Sequence, residues 1–170
     1  MDLRESNIKD VSMLGNVYSL NLRYCCKITD VSMLGNVYSL NLQCCKNITD
    51  VSMLGNVHTL DLCYCKNITD VSMLGNVHTL DLSYCDNITD VSMLGNVHTL
   101  NLVGTKITDV SMLKNVHTLN LANTCVKDVS MLGKVHSLIL HGNRGITNVL
   151  SLKNVHTLCL SYTNIKDISM

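Results

Sequence analysis

The sequence predicts an α/β solenoid. It is right-handed, with a parallel β-sheet on its concave face and short 3₁₀ or helical turns on its convex face. Three observations carry this. Nearly all of the 170 residues are one unit of 19 or 20 residues written eight times. Each unit holds a short alternating run, V-x-x-L-x-L, and a separate D-V-S-M-L-G segment. A unit that short cannot bury its own apolar face, so the units must stack and bury it against each other.

The units run 8–27, 28–47, 48–67, 68–87, 88–106, 107–125, 126–145 and 146–164, with partial units 1–7 and 165–170, all within one domain spanning 1–170. In L-x-L, alternate side chains point the same way, so Leu60 and Leu62 mark a short strand with its leucines inward. In D-V-S-M-L-G, Val and Leu three apart share one side of a tight turn. Asp30, Asp50, Asp70, Asp90 and Asp109 read as N-caps of that turn. The glycine that follows reads as a left-handed stop, although Lys114 and Lys153 replace it in two units. Stacking then builds ladders such as Val71/Val91/Val110, Leu74/Leu94/Leu113 and Leu80/Leu100/Leu119. Strands about 4.8 Å apart give eight units a length of about 40 Å.

One position after the strand explains the length variation. Cys25, Cys45, Cys65 and Cys85 fill it with two residues before the next Ile. Thr105, Thr124 and Thr163 fill it in shorter units, and Asn143 is its single asparagine. With L-x-x-L-x-L-x-x-N/C recurring along the chain, the pattern resembles the leucine-rich-repeat family over essentially its whole length. In that family the asparagine side chain hydrogen-bonds exposed backbone of the turn. Thr can do the same, and a thiol does so weakly. The cysteine form resembles the subclass found in F-box adaptors. The D-V-S-x-L turn resembles bacterial internalin-type repeats. The wording DVSMLGNVHTL is similar to repeat proteins of large DNA viruses. The resemblance implies non-catalytic protein–protein recognition through the concave sheet. No F-box-like domain precedes the repeats, so a ubiquitin-ligase role is not expected.

Composition narrows the function further. Thirteen basic residues balance thirteen acidic ones, and no basic run marks a nucleic-acid surface. No stretch approaches the roughly 18 apolar residues of a membrane span. Nine cysteines, an odd number, fit free thiols in a reducing, cytoplasmic setting rather than a disulfide framework. The polar start MDLRESNIKD is not a signal peptide. Phosphate-binding, zinc-protease and nucleophile-elbow motifs are all missing. The sequence therefore assigns no enzyme activity, catalytic residue, cofactor or metal ligand.

Three other features have bland and sharp readings. His58, His78, His98, His117, His136 and His156 form one column, continued by Tyr18 and Tyr38. A column offers donors from one direction only, whereas a zinc site needs them to converge. Close histidines should instead resist protonation, so acid should weaken the fold. Cys25, Cys45, Cys65 and Cys85 read as small buried groups, while Cys63 and Cys159 should project from the sheet. The sequons at Asn47, Asn67 and Asn87 follow from the repeat wording N-I-T-D and read as unmodified.

Binding should use the outward strand columns, which vary while the core repeats verbatim. Tyr brings large area and one polar tip. The candidate contact residues are Arg23, Tyr24, Asp61, Tyr64, Asp81 and Tyr84, with Tyr64 and Tyr84 beside Asp61 and Asp81 as the main patch. A basic or polar partner surface suits it; the partner itself is unspecified, with neither nucleic acid nor membrane expected. Several alternatives stand beside this reading. One is a spacer array or a fragment of a larger repeat protein, with no specific partner. Another is a metal or redox site in the His or Cys columns. A third is a secreted adhesion module with an upstream signal. Neither end carries a recognisable cap, which allows end-to-end self-association.

Overall fold

The computed structural model describes residues 1–166. The expected last outer turn, ending Ile168-Ser169-Met170, lies outside the described residues. Each unit contributes one three-residue strand and one three-residue 3₁₀ turn. The strands are β1 (Ser19–Asn21), β2 (Ser39–Asn41), β3 (Thr59–Asp61), β4 (Thr79–Asp81), β5 (Thr99–Asn101), β6 (Thr118–Asn120), β7 (Ser137–Ile139) and β8 (Thr157–Cys159). They form a single parallel sheet in chain order, β1 to β8. Register never slips: Leu20 pairs Leu40, Leu40 pairs Leu60, and so on to Leu138 with Leu158. A one-residue slip would turn every leucine out to solvent, and that fixes the register. The change from 20 to 19 residues is absorbed after the strand, so it leaves the ladder untouched.

The core is a set of columns running the length of the stack. Leu62, Leu82 and Leu102, and likewise Ile68, Ile88 and Ile107, are fully buried. The cysteine column lies among them, and all four of its members are fully buried. Each thiol also crosses to the preceding turn. Cys45 Sγ donates to the Leu22 carbonyl at 3.1 Å, Cys65 to Leu42 at 3.1 Å and Cys85 to Leu62 at 3.2 Å. The threonines act differently, with Thr105 Oγ1 donating to Leu102 within its own turn at 2.8 Å. Asn143 reaches back to the Leu121 carbonyl of the preceding turn at 2.7 Å, as the thiols do. A second polar ladder runs outside. Asn67 Nδ2 donates to the Lys46 carbonyl and Asn87 Nδ2 to the Lys66 carbonyl, both at 2.8 Å. The amide nitrogens of these asparagines are thus tied to the neighbouring turn.

Two local expectations need correction. The repeated aspartate sits one residue before the N-cap, which is a valine. Asp70 Oδ1 accepts from the Ser72 amide, the first of the turn, at 2.9 Å. It still satisfies an orphan donor, but as an Asx-type bond two residues ahead. The glycine after the turn is not left-handed; Gly75 has φ −62° and ψ −16°. Its role is close approach, because a Cβ there would run into the Met93 carbonyl of the next turn. Lys114 adopts the same conformation with φ −59° and ψ −19°, so a neighbouring turn can give way for a side chain.

The left-handed positions lie elsewhere, just after each strand. Tyr24, Tyr64, Tyr84 and Tyr162 have φ of 57–61°, with Cys44 at 62° and Asn123 at 56°. Gly104 and Gly142 fill the same position with φ of 70° and 77°. Glycine and asparagine suit this conformation, whereas a tyrosine there is strained.

Candidate functional site

The sheet face is built around two carboxylates. Asp61 and Asp81 are direct register partners on β3 and β4, both half-buried. Each binds its own backbone two residues on: Asp61 Oδ1 accepts from the Cys63 amide at 2.9 Å, and Asp81 Oδ1 from the Ser83 amide at 2.8 Å. Their outer oxygens accept from neutral amides on either side. Asn41 Nδ2 is 3.1 Å from Asp61, and Asn101 Nδ2 is 2.9 Å from Asp81. No salt bridge neutralises the pair among the described residues. Burial first, and the Asp81 carboxylate as well, push the Asp61 carboxyl above the usual range; the Cys63 amide and Arg23 pull the other way. Like charges directly opposite on neighbouring strands are destabilising.

Beside them runs the tyrosine pair. Tyr64 and Tyr84 stack at 4.6 Å with planes 11° apart. The Tyr84 ring lies where a Cβ on Gly104 would sit, so the stack rests on that glycine. Lys66 Nζ lies 5.9 Å from the Tyr64 ring centroid and pairs with Asp86 at 2.8 Å. Arg23 and Tyr24 form a separate couple one turn before Gln43 and Cys44, with the guanidinium 4.9 Å over the Tyr24 ring. Cys44, buried and left-handed, interrupts the tyrosine column between Tyr24 and Tyr64. The six predicted residues therefore fall into one group of four and an outlying pair.

Cys63 departs from expectation. It was expected to project as an exposed thiol, but it is only 8% exposed. Ser83 Oγ lies 3.0 Å from its sulfur and 2.5 Å from Asp81 Oδ1. Neighbouring turns cover this column where its side chains are small, and Ser83 and Ala122 are buried with it. The buried network around the aspartates was missed because alternation alone marks Cys63 and Ser83 as outward. Cys63, Asp61 and Asp81 place one ligand atom each within 4.8 Å of the others. Burial raises the Cys63 thiol, and the carboxylate oxygens are already engaged by neutral donors, so the set reads as a hydrogen-bonded carboxylate pair.

The cysteine and histidine columns have structural explanations. Burial pushes the Cys45 and Cys85 thiols up to about 12, which keeps them protonated and unreactive at neutral pH. The rings from Tyr18 through Tyr38 and His58 to His156 form one continuous stack, with centroids 4.5–4.8 Å apart. Nitrogen lone pairs lie in the ring plane, so parallel rings offer parallel donors rather than convergent ones. Desolvation, then His117 and His78, lower the His98 imidazole below its ordinary 6.5. A lowered folded-state value means the native state binds fewer protons than the unfolded chain. The histidine contribution to stability is therefore full above pH 6.5 and is lost as pH falls below it. Urea unfolding midpoints should fall between pH 7.5 and 5.5. The turn aspartates do not contribute in that window, because their lowered values place their loss near or below pH 3.8. A midpoint that stays level would contradict the effect.

Comparison with known proteins agrees with this architecture. The family profile described as Leucine Rich repeat matches residues 76–94. Curated protein sequences give no significant match. Among solved structures, the internalin InlF of Listeria monocytogenes superposes with a TM-score of 0.81 at 26% identity, covering 98% of this chain and 55% of its own. This chain thus spans about half of that protein. Internalin C2 of the same organism gives 0.70 at 25% identity, covering 89% of this chain and 73% of its own. A leucine-rich-repeat protein of Leptospira interrogans gives 0.64 at 22% identity, covering 98% and 55%, a likeness of fold alone. Proteins of this fold generally bind other proteins and are generally non-catalytic. No helix among the described residues is long and apolar enough to cross a membrane. With one in-register strand and one 3₁₀ turn per unit, this chain has the fold of a leucine-rich-repeat solenoid.

Proposed function

We propose that the chain is a non-catalytic recognition module, a single domain that binds a protein partner through its sheet face. Asp61, Asp81, Tyr64 and Tyr84 carry the contact. The supporting observation is a half-buried carboxylate pair that only neutral donors serve. A lysine or arginine of the partner would supply the missing counter-charge. The strained tyrosines point the same way. Units with Gly104 and Gly142 show that glycine fills this turn at lower cost, yet tyrosine stands at Tyr64 and Tyr84. Arg23 and Tyr24 would form a secondary contact. Free thiols and the DVSMLGNVHTL wording support a cytoplasmic and viral setting.

A reducing pull-down from host lysate tests this. Wild type is compared with a variant carrying Asp61, Tyr64, Asp81 and Tyr84 all changed to Ala, its folding checked by circular dichroism. The expected result is a partner retained by wild type and lost by the folded variant. Equal retention by both would place recognition elsewhere, and no retention by either would favour the spacer array.

A further inference from the structure

The outer turns carry a second surface, independent of the sheet face. One methionine per turn stands out from the solenoid, from Met13 to Met131, and Met33, Met53, Met73 and Met93 are each about 60% exposed. Beside them runs one aspartate per turn, and the clefts between successive turns contain members of both rows. The cleft holding Asp70, Asp90 and Met93 measures about 240 Å³. Turns two to five, within 28–37, 48–57, 68–77 and 88–97, carry four aspartates and no basic residue.

Neither row is needed for the turn. In the eighth unit Asn148 replaces the aspartate, and its Oδ1 still accepts from the amide two residues on at 2.9 Å. Ser151 there occupies the methionine position within an unchanged 3₁₀ turn, Leu150–Leu152. The charge and the thioether are thus surplus to folding, and the unit that loses one loses both. The aspartates are ionised at neutral pH, since hydrogen bonds from Ser72 and Ser92 lower Asp70 and Asp90. Flexible, polarisable methionines beside a line of carboxylates suit an apolar surface that is also cationic.

We infer that turns two to five dock a basic amphipathic helix laid along the stack. The units stack every 4.5–4.8 Å at the ring column beside the strands, the same order as the roughly 5.4 Å a helix advances per turn. Basic side chains at helical spacing would meet successive aspartates, and leucines beside them would enter the methionine-lined clefts.

The probe is a dye-labelled 18-residue peptide of leucine and lysine, with one apolar and one basic face, titrated with the full chain at low salt by fluorescence anisotropy. Saturable binding is expected. It should weaken at least tenfold when Asp30, Asp50, Asp70 and Asp90 become Asn, and likewise when Met33, Met53, Met73 and Met93 become Ser. Both replacements are the ones the eighth unit already uses, so the variants should fold. The sheet-face variant should bind as wild type does, which separates this surface from the proposed recognition site. Three results would overturn the inference. One is no binding. Another is equal binding of all variants or of a scrambled peptide. The third is a wild-type dimer, seen by sedimentation and lost in the Met→Ser variant, which would show that a second copy covers the stripe.

Discussion

Leu82→Ala should cost about 3 kcal/mol, the range for deleting a buried leucine from a core that relaxes only partly. Leu82 is fully buried between Leu62 and Leu102 in the middle of the stack. Each turn is stabilised mainly by its two neighbours, so the cavity weakens both interfaces at once. For a chain of this size the unfolding temperature should fall by roughly 6–12 °C. Leu160→Ala, at the half-buried equivalent position in the last full unit, should cost clearly less. Urea unfolding of the two variants beside wild type checks this. Equal losses at both positions would contradict a nearest-neighbour stack.

Asn143→Ala should cost about 2–3 kcal/mol despite removing few atoms. Asn143 is 1% exposed and joins two turns. Its Nδ2 donates to the Leu121 carbonyl and its Oδ1 accepts from the Thr124 amide at 2.9 Å; Thr124 Oγ1, whose one proton lies closer to the Leu121 carbonyl at 2.9 Å, is 3.1 Å from Oδ1. After truncation the Leu121 carbonyl keeps its bond from Thr124 Oγ1. The Thr124 amide is left without its acceptor. Even a half-buried donor left without a partner costs more than the net value of an ordinary hydrogen bond, and this asymmetry, with the loss of the buried Asn143 contacts, sets the magnitude. Asn143→Thr should recover only part of the loss, because threonine at this position bonds within its own turn, as Thr105 does. A change below about 0.5 kcal/mol in urea unfolding, the level of an ordinary surface substitution, would contradict this account.

The sequence made the periodic features legible. Repeat length, L-x-L alternation and the in-register sheet follow from period and from the need to bury leucine between identical units. The buried cysteine column followed as well, because Cys45 and Cys65 share a position with Thr105 and Asn143. Features set by three-dimensional approach were not legible. Gly75 looked like a left-handed stop, but proximity to the Met93 carbonyl explains it. The left-handed position was hidden because tyrosine, a poor fit for that conformation, occupies it at Tyr64 and Tyr84. A composition mixing Tyr, Gly and Asn in one column was the available signal. Cys63 looked exposed because alternation cannot show that a neighbouring turn covers it. Asp61 and Asp81 were legible as a pair, but their neutral hydrogen-bond partners emerged only from the packing of four strands.

The central claim is that the aspartate pair costs stability and serves recognition. Asn21, Asn41, Asn101 and Asn120 occupy the same column, so asparagine is compatible with the strand. The most direct test is the variant Asp61→Asn with Asp81→Asn, in which thermal unfolding and partner retention are measured on the same preparation at pH 7. The raised Asp61 value means that ionisation is unfavourable in the native state, so the charge weakens the fold once pH rises through that value. The account predicts a higher unfolding temperature together with loss of the captured partner. A lower unfolding temperature, or full retention of the partner, would contradict it.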